Sequence, residues 1–112
     1  MTIQTRVLIG GDFCYLDNSE MEKLNAALLN YPRWVELGEY LNEKYPIKMS
    51  NYRSMIRKRL PLMSEVLREL DLGFIFIMSD FNFGVAQYAM FNPTLEITDY
   101  VKWNYFRIKY EL

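Results

Sequence analysis

The fold is decided in residues 61–78, which read PLMSEVLRELDLGFIFIM. Pro61 suits the first turn of a helix, where its missing N–H group costs no hydrogen bond. After Gly73 the helical period disappears, and the apolar run Phe74–Met78 favours a strand. The stretch therefore predicts a helix that closes at Gly73 and leads directly into a buried strand. The apolar residues that repeat at helical spacing before Gly73 are Met63, Val66, Leu67 and Leu70.

Three other stretches favour strands. Residues 2–16 flank the turn residues Gly10-Gly11-Asp12 and predict a hairpin or two short strands. Residues 85–91 predict a second apolar strand, joined to Phe74–Met78 as a hairpin by residues 79–84. Residues 95–103 suit either a strand or a short helix. A half-exposed last strand is expected because apolar residues alternate with charged ones at Phe106, Ile108, Tyr110 and Leu112.

Helical periodicity occupies the middle of the chain. Ser19 followed by Glu22 has the spacing of a capping box and predicts a helix that runs to about Asn30. The apolar spacing predicts a second helix over residues 32–45 and a third after Ser50, before the helix that begins at Pro61.

Together these patterns predict an α+β fold. The N-terminal strands, the hairpin and the last strand form an antiparallel sheet, which packs against a layer of about four short helices. The length of 112 residues is close to the commonest domain size, so residues 1–112 are expected to form a single domain.

The composition indicates the cellular compartment in which the protein functions and argues against a membrane-spanning segment. The single Cys14 cannot form an internal disulfide, which favours a reducing cytoplasm, and we expect its thiol to be buried in the core. The longest apolar run, residues 72–78, is far shorter than the roughly 20 residues of a membrane span, so no membrane partner is expected.

Histidine is absent from the chain. This removes the commonest general base near neutral pH and the commonest transition-metal ligand. We therefore expect no enzymatic activity, no catalytic residues, no metal site and no cofactor.

Charge is strongly segregated along the chain. Residues 1–43 carry three basic and seven acidic groups, residues 44–64 carry six basic and none acidic, and residues 65–112 carry four basic and seven acidic. The net charges are therefore −4, +6 and −3, within a chain total of −1. The basic segment predicts an amphipathic helix with a cationic side. The cations expected to contact a partner are Lys48, Arg53, Arg57 and Lys58.

This segment resembles a helix-turn-helix DNA reader. Residues 50–59 stand where that family has its recognition helix, and residues 34–44 stand where the preceding helix lies. The turn is longer than in the family, because residues 45–48 are inserted. The resemblance implies contacts from the basic helix to DNA phosphates or bases, with the terminal sheet forming a homodimer.

Two other features are candidates for partner contact. Glu36, Glu39 and Glu43 recur at three- and four-residue spacing and so share one side of the second helix, either as a solvated face or as a contact for a basic partner. Phe81 and Phe83 lie in the predicted hairpin connection, where they either fold over the sheet or project to a partner.

In size and charge character the chain resembles phage-encoded antagonists of host defence and bacterial toxin-immunity proteins. The leading hypothesis is accordingly a small non-enzymatic inhibitor or immunity protein that docks on a protein target, such as a toxin or a nucleic-acid-binding protein. The alternative hypothesis is a DNA-binding transcriptional regulator that uses the helix over residues 50–59.

Overall fold

The computed structural model describes residues 5–77 and 94–112. Within them the fold is α+β, as the sequence predicts. A turn of 3₁₀ helix, Met49–Asn51, precedes the longest helix. The elements in chain order are β1 (Thr5–Ile9), β2 (Asp12–Leu16), α1 (Asn18–Leu28), α2 (Pro32–Lys44), α3 (Tyr52–Leu70), β3 (Phe74–Ile77), β4 (Thr94–Ile97) and α4 (Tyr100–Lys109).

The sheet is mixed, so the prediction of a purely antiparallel sheet is wrong. Its strand order is β2-β1-β4-β3. β1 pairs antiparallel with β2, and β3 pairs antiparallel with β4, but β1 and β4 run parallel with Val7 opposite Leu95. Parallel neighbours require a long crossover connection, and the chain between β1 and β4 contains three helices that provide it.

One face of the sheet forms the main core. Val7, Leu95 and Phe76 are opposite one another across three strands and are almost fully buried. They belong to the same buried cluster as Leu24 of α1, Leu67 of α3 and Trp103 of α4. The helices therefore cover this face of the sheet.

The sequence suggests two helices between Ser50 and Gly73, but α3 is one continuous helix over Tyr52–Leu70 with Pro61 inside it. A proline inside a helix costs about 3 kcal/mol, because it removes a hydrogen bond and crowds the preceding turn. Pro61 lies on the exposed side, where water can solvate the freed carbonyl group. Burial of Leu60 and Leu67 on the opposite side offsets the cost.

The predicted last strand is also wrong, because residues 100–109 form α4. The side chain of Asp99 accepts hydrogen bonds from the backbone N–H groups of Val101 and Lys102 and so caps the helix. Trp103 and Phe106 then lie on one side, where both are buried. The ambiguous residues 95–103 contain the end of β4 and the start of α4.

Two local predictions have different outcomes. The capping box of α1 consists of Asp17 and Glu20 rather than Ser19 and Glu22, with the Glu20 N–H donating to Asp17 Oδ1 at 2.8 Å. The N-terminal hairpin is confirmed, and so is a strand over Phe74–Ile77. The predicted strand over residues 85–91 lies outside the described residues.

Candidate docking surfaces

The four cations predicted to contact a partner are exposed around the start of α3. Arg53 and Arg57 are one helical turn apart, so their side chains extend from the same side of the helix. Neither ion pair found among the described residues involves any of the four. We call Lys48, Arg53, Arg57 and Lys58 the basic face. No carboxylate within the described residues forms an ion pair with these side chains, so their positive charge is not neutralised there.

The loop before α3 is ordered by hydrogen bonds to one asparagine. The Lys48 N–H donates to Asn51 Oδ1 at 2.8 Å, and Asn51 Nδ2 donates to the carbonyl oxygen of Pro46 at 3.4 Å. Lys58 Nζ lies 5.9 Å from the centroid of the Tyr45 ring. These contacts hold the loop against α3 and place Lys48 near the helical members of the basic face.

The arrangement of α2 and α3 differs from that of a helix-turn-helix unit. Arg33 Nε lies 3.3 Å from Glu69 Oε2, and Arg59 Nη2 donates to Asn42 Oδ1 at 3.0 Å. The start of α2 is therefore beside the end of α3, and the end of α2 is beside the middle of α3. This is an antiparallel helical hairpin, whereas helix-turn-helix pairs cross at about 90–120°.

The predicted acidic side of α2 is present as a surface. Glu36, Glu39 and Glu43 are exposed, while Leu37 and Leu41 on the other side of the helix are buried against α3. Neither ion pair within residues 5–77 and 94–112 involves these glutamates. Phe81 and Phe83, the other predicted contact residues, lie outside the described residues.

Sequence reasoning missed an apolar surface on α4. Val101, Tyr105 and Ile108 are 77%, 69% and 80% exposed. Their spacing of four and three residues places them on one side of the helix, away from the buried Trp103 and Phe106. We call Val101, Tyr105 and Ile108 the α4 stripe.

The α4 stripe was not identified from the sequence because residues 106–112 were predicted to form a strand. That prediction placed Phe106 and Ile108 on one face, although the former is buried and the latter is highly exposed. A detectable signal was Asp99 ahead of two interleaved helical patterns. One pattern is the α4 stripe, and the other is Trp103, Phe106 and Tyr110.

The surroundings of the α4 stripe are partly basic. Lys102 forms an ion pair with Asp71, and this hydrogen bond raises the pKa of Lys102. Beside the stripe is a shallow depression of about 370 Å³. Its lining includes Asp71, Leu72, Val101, Lys102, Tyr105 and Lys109.

A pair of tyrosines connects α4 to the start of α2. The hydroxyl groups of Tyr31 and Tyr110 form a hydrogen bond of 3.2 Å, and their rings meet edge to face with centroids 6.5 Å apart. Partial burial, followed by the Tyr110 hydrogen bond, raises the pKa of Tyr31 to about 12. The neutral phenol is therefore favoured here well above neutral pH.

The edge strand β2 has a second exposed apolar surface. Phe13 and Tyr15 are 50% and 53% exposed, and the guanidinium carbon of Arg6 lies 4.8 Å from the centroid of the Phe13 ring. Cys14 is exposed, so its predicted burial is wrong. The reason is that β2 is at the end of the sheet order, with β1 as its neighbour among the described strands.

The described parts of the chain contain no group of three or more carboxylate or thiol side chains able to hold a metal ion. No helix in those parts is both long enough and apolar enough to cross a membrane.

Comparison with known proteins gives no relative. The chain matches no protein-family model, no curated protein and no solved structure.

Proposed function

We propose that this chain is a non-enzymatic binding protein of the inhibitor or immunity class, and that it docks on a protein target through the α4 stripe. The proposal rests on one observation. Three large apolar side chains at positions i, i+4 and i+7 of α4 are each more than two-thirds exposed. Surface helices of globular proteins normally have polar residues on that side.

The spacing of the α4 stripe matches a common mode of helix recognition. Helices that bind in hydrophobic grooves insert side chains at i, i+3 or i+4, and i+7. Tyr105 is the central member of the stripe, and tyrosine is one of the residue types that contribute most to interface affinity. The opposite side of α4 packs on Phe74, with ring centroids 5.2 Å from Trp103 and 5.1 Å from Phe106. The stripe is therefore presented on a supported helix.

The charges beside the α4 stripe indicate the chemistry of the target. Lys109 lines the adjacent depression and forms no ion pair within the described residues, whereas Lys102 is already paired with Asp71. A groove with apolar walls and a carboxylate that reaches Lys109 complements this surface. Rim charges of this kind mainly accelerate association and determine partner choice.

The remaining parts of the proposal follow from composition. The chain has no histidine for acid–base catalysis, which supports a binding role rather than an enzymatic one. One cysteine, exposed and unpaired, supports function in the reducing cytoplasm. Small size and segregated charge support the inhibitor or immunity class, including phage antagonists of host defence.

The test is a capture experiment with matched variants. Tagged wild-type protein, Val101→Ser/Ile108→Ser, and Leu29→Ser are each incubated with cytosolic extract, with and without nuclease. Leu29 is exposed at the end of α1 and provides the same apolar-to-polar change outside the α4 stripe. We expect a stoichiometric protein partner that resists nuclease, binds wild type and Leu29→Ser equally, and is lost from the stripe variant.

Retention of the same partner by the stripe variant, with wild-type affinity in a purified binding assay, would contradict the α4 proposal. Circular dichroism of each variant checks that the fold is intact, and all three substitutions are at exposed positions where stability effects are normally within about 0.5 kcal/mol.

DNA binding by the basic face is the second candidate function, supported by Arg53 and Arg57, neither of which forms an ion pair within residues 5–77 and 94–112. Each phosphate contact adds about 0.9 to the slope of log affinity against log salt, so DNA binding is expected to be strongly salt-dependent. Arg53→Ala/Arg57→Ala would then abolish capture of DNA but leave a protein partner of the α4 stripe bound. If the variant keeps every captured partner, the basic face has no binding role.

The acidic side of α2 is tested in the same assay. Reversal of Glu36, Glu39 and Glu43 to lysine is expected to weaken capture of a partner with a basic surface. Unchanged affinity would identify these residues as ordinary solvated side chains.

A further inference from the structure

Within residues 5–77 and 94–112, no strand pairs with the outer edge of β2, and the backbone groups along that edge follow a defined pattern. Gly10 and Gly11 have φ values of +57° and +103°, as a two-residue type I′ hairpin turn requires. The residues that flank such a turn, Ile9 and Asp12, form a hydrogen-bonded pair. Hydrogen-bonded and non-hydrogen-bonded pairs then alternate along the hairpin.

This alternation assigns the direction of each backbone group in β2. Asp12, Cys14 and Leu16 are in hydrogen-bonded pairs, so their N–H and C=O groups point to β1. Phe13 and Tyr15 are in non-hydrogen-bonded pairs, so their N–H and C=O groups point away from the sheet. Among the described strands, this edge therefore presents two donors and two acceptors, all from the two exposed aromatic residues.

These groups are self-complementary about Cys14. In an antiparallel pair of β2 strands related by a two-fold axis at Cys14, Phe13 of each copy is opposite Tyr15 of the other. Both residues direct their backbone groups outward, so each Phe13–Tyr15 pair exchanges two hydrogen bonds. This register pairs all the outward groups of β2 with strand residues of the second copy.

The side chains agree with the same register. Phe13 and Tyr15 extend from the sheet face opposite the one occupied by Val7, and they are exposed. Pairing places two aromatic cross-strand pairs side by side, and such pairs stabilise antiparallel sheets. The two Cys14 residues form the central non-hydrogen-bonded pair, in which Cα atoms are separated by about 4.5 Å.

We propose that two copies of this chain associate through their β2 edges in this register, which joins two four-stranded sheets into one continuous sheet. An exposed edge strand is a template for pairing with another chain unless the protein blocks it. β2 contains no proline, lysine or arginine, and its one charged residue, Asp12, is at the turn end. The proposal is independent of the α4 stripe, which is on a different element.

The register is tested by disulfide cross-linking. Purified protein is reduced, exchanged into buffer and treated with diamide, which accepts the two electrons and two protons released when two thiols form a disulfide. Cα atoms of disulfide-bonded cysteines are usually 4.4–6.8 Å apart, a range that includes the separation of about 4.5 Å expected for Cys14. We expect Cys14 to cross-link rapidly into a species of twice the chain mass of 13.5 kDa.

The matched control moves the thiol along the same strand. In Asp12→Cys/Cys14→Ser, the cysteines of the two copies are offset by four residues, or about 13 Å, which is too far for a disulfide. We expect cross-linking at least about tenfold slower than for Cys14. Equal rates for the two proteins would overturn the proposed register, because they would indicate random collision.

Association is measured separately under reducing conditions by sedimentation, with concentrations up to about 100 µM. We expect a dimer for wild type and for Cys14→Ser. Tyr15→Pro removes an outward N–H group without removing one that bonds to β1, and it is expected to weaken the dimer at least about tenfold while the far-ultraviolet spectrum is unchanged. A wild-type monomer at every concentration would overturn the proposal. A wild-type dimer that Tyr15→Pro does not weaken would also overturn the proposal, because its formation would not depend on the outward N–H groups of β2.

Discussion

A Cβ atom added to Gly73 would lie 2.5 Å from the backbone nitrogen of Trp103. Gly73 has a φ of +92° and connects α3 to β3, and its carbonyl oxygen accepts hydrogen bonds from the N–H groups of Thr98 and Asp99. The first turn of α4 thus packs directly on the glycine backbone. This contact positions α4 against the sheet and leaves the α4 stripe on the side of the helix that faces away from the sheet.

Substitution Gly73→Ala is expected to destabilise the fold by about 3 kcal/mol. The positive φ costs about 1–2 kcal/mol for a residue with a side chain, and the overlap with Asp99 and Trp103 costs a similar amount. Urea unfolding followed by circular dichroism measures the change. Gly38→Ala is the matched control, because a Cβ there meets no atom within 4 Å and alanine favours the helix interior by about 0.5–1 kcal/mol. A Gly73→Ala protein as stable as Gly38→Ala would contradict the described packing.

Removal of the α1 cap is expected to cost about 1 kcal/mol. Asp17→Ala eliminates the acceptor for the Glu20 N–H group, which is satisfied at 2.8 Å in the structure. Ser19→Ala tests the cap suggested by the sequence and is expected to change stability by less than about 0.5 kcal/mol, because Ser19 is exposed inside the helix. Chemical denaturation of both variants discriminates the two caps. A larger loss for Ser19→Ala would show that α1 begins later than described.

The Tyr31–Tyr110 pair is expected to make stability fall in alkaline solution. The pKa of Tyr31 is raised from about 10 to about 12 in the folded protein. The contribution of Tyr31 to the free energy of unfolding is therefore fully present below pH 10, because the phenol is neutral in both the folded and the unfolded state. It is lost as the pH rises through 12, since the unfolded chain ionises first.

The measurement is the free energy of unfolding at pH 8, 10 and 11 for wild type and Tyr31→Phe. Phenylalanine has no ionisable group, so the difference between the two proteins isolates Tyr31 from the other tyrosines. We expect the free energy of unfolding of wild type to exceed that of Tyr31→Phe by less at pH 11 than at pH 10. A difference that is constant over this range would show that the pKa of Tyr31 is not raised.

Local sequence signals predicted the elements whose causes are local. α1, α2 and the N-terminal hairpin follow from apolar spacing and turn residues, and their approximate positions are confirmed. Residues 100–109 have two compatible patterns, alternation and helical spacing. The helix is adopted because only it buries Trp103 and Phe106 together against Phe74.

The candidate surfaces were predictable to different extents. The basic face and the acidic side of α2 depend on periodicity within one helix, so their exposure was visible in the sequence. The helical spacing of the α4 stripe was visible too, but its exposure and that of the β2 edge were not, because exposure there depends on which neighbouring element is present. Val101 and Phe13 have the composition of core residues and are exposed only because of their places in the assembled fold.

The sequence by itself determined the α+β class, the segregation of charge, the absence of histidine and the tight Gly10-Gly11 turn, because these depend on composition or on residues close in the chain. The tertiary structure decided the parallel pairing of β1 with β4, the continuation of α3 through Pro61, the helical end of the chain and the exposure of Cys14. In the first three cases the deciding free energy is the burial of side chains from distant segments, and local preference is too weak to oppose it. Cys14 is exposed because β2 is at the end of the order of the described strands.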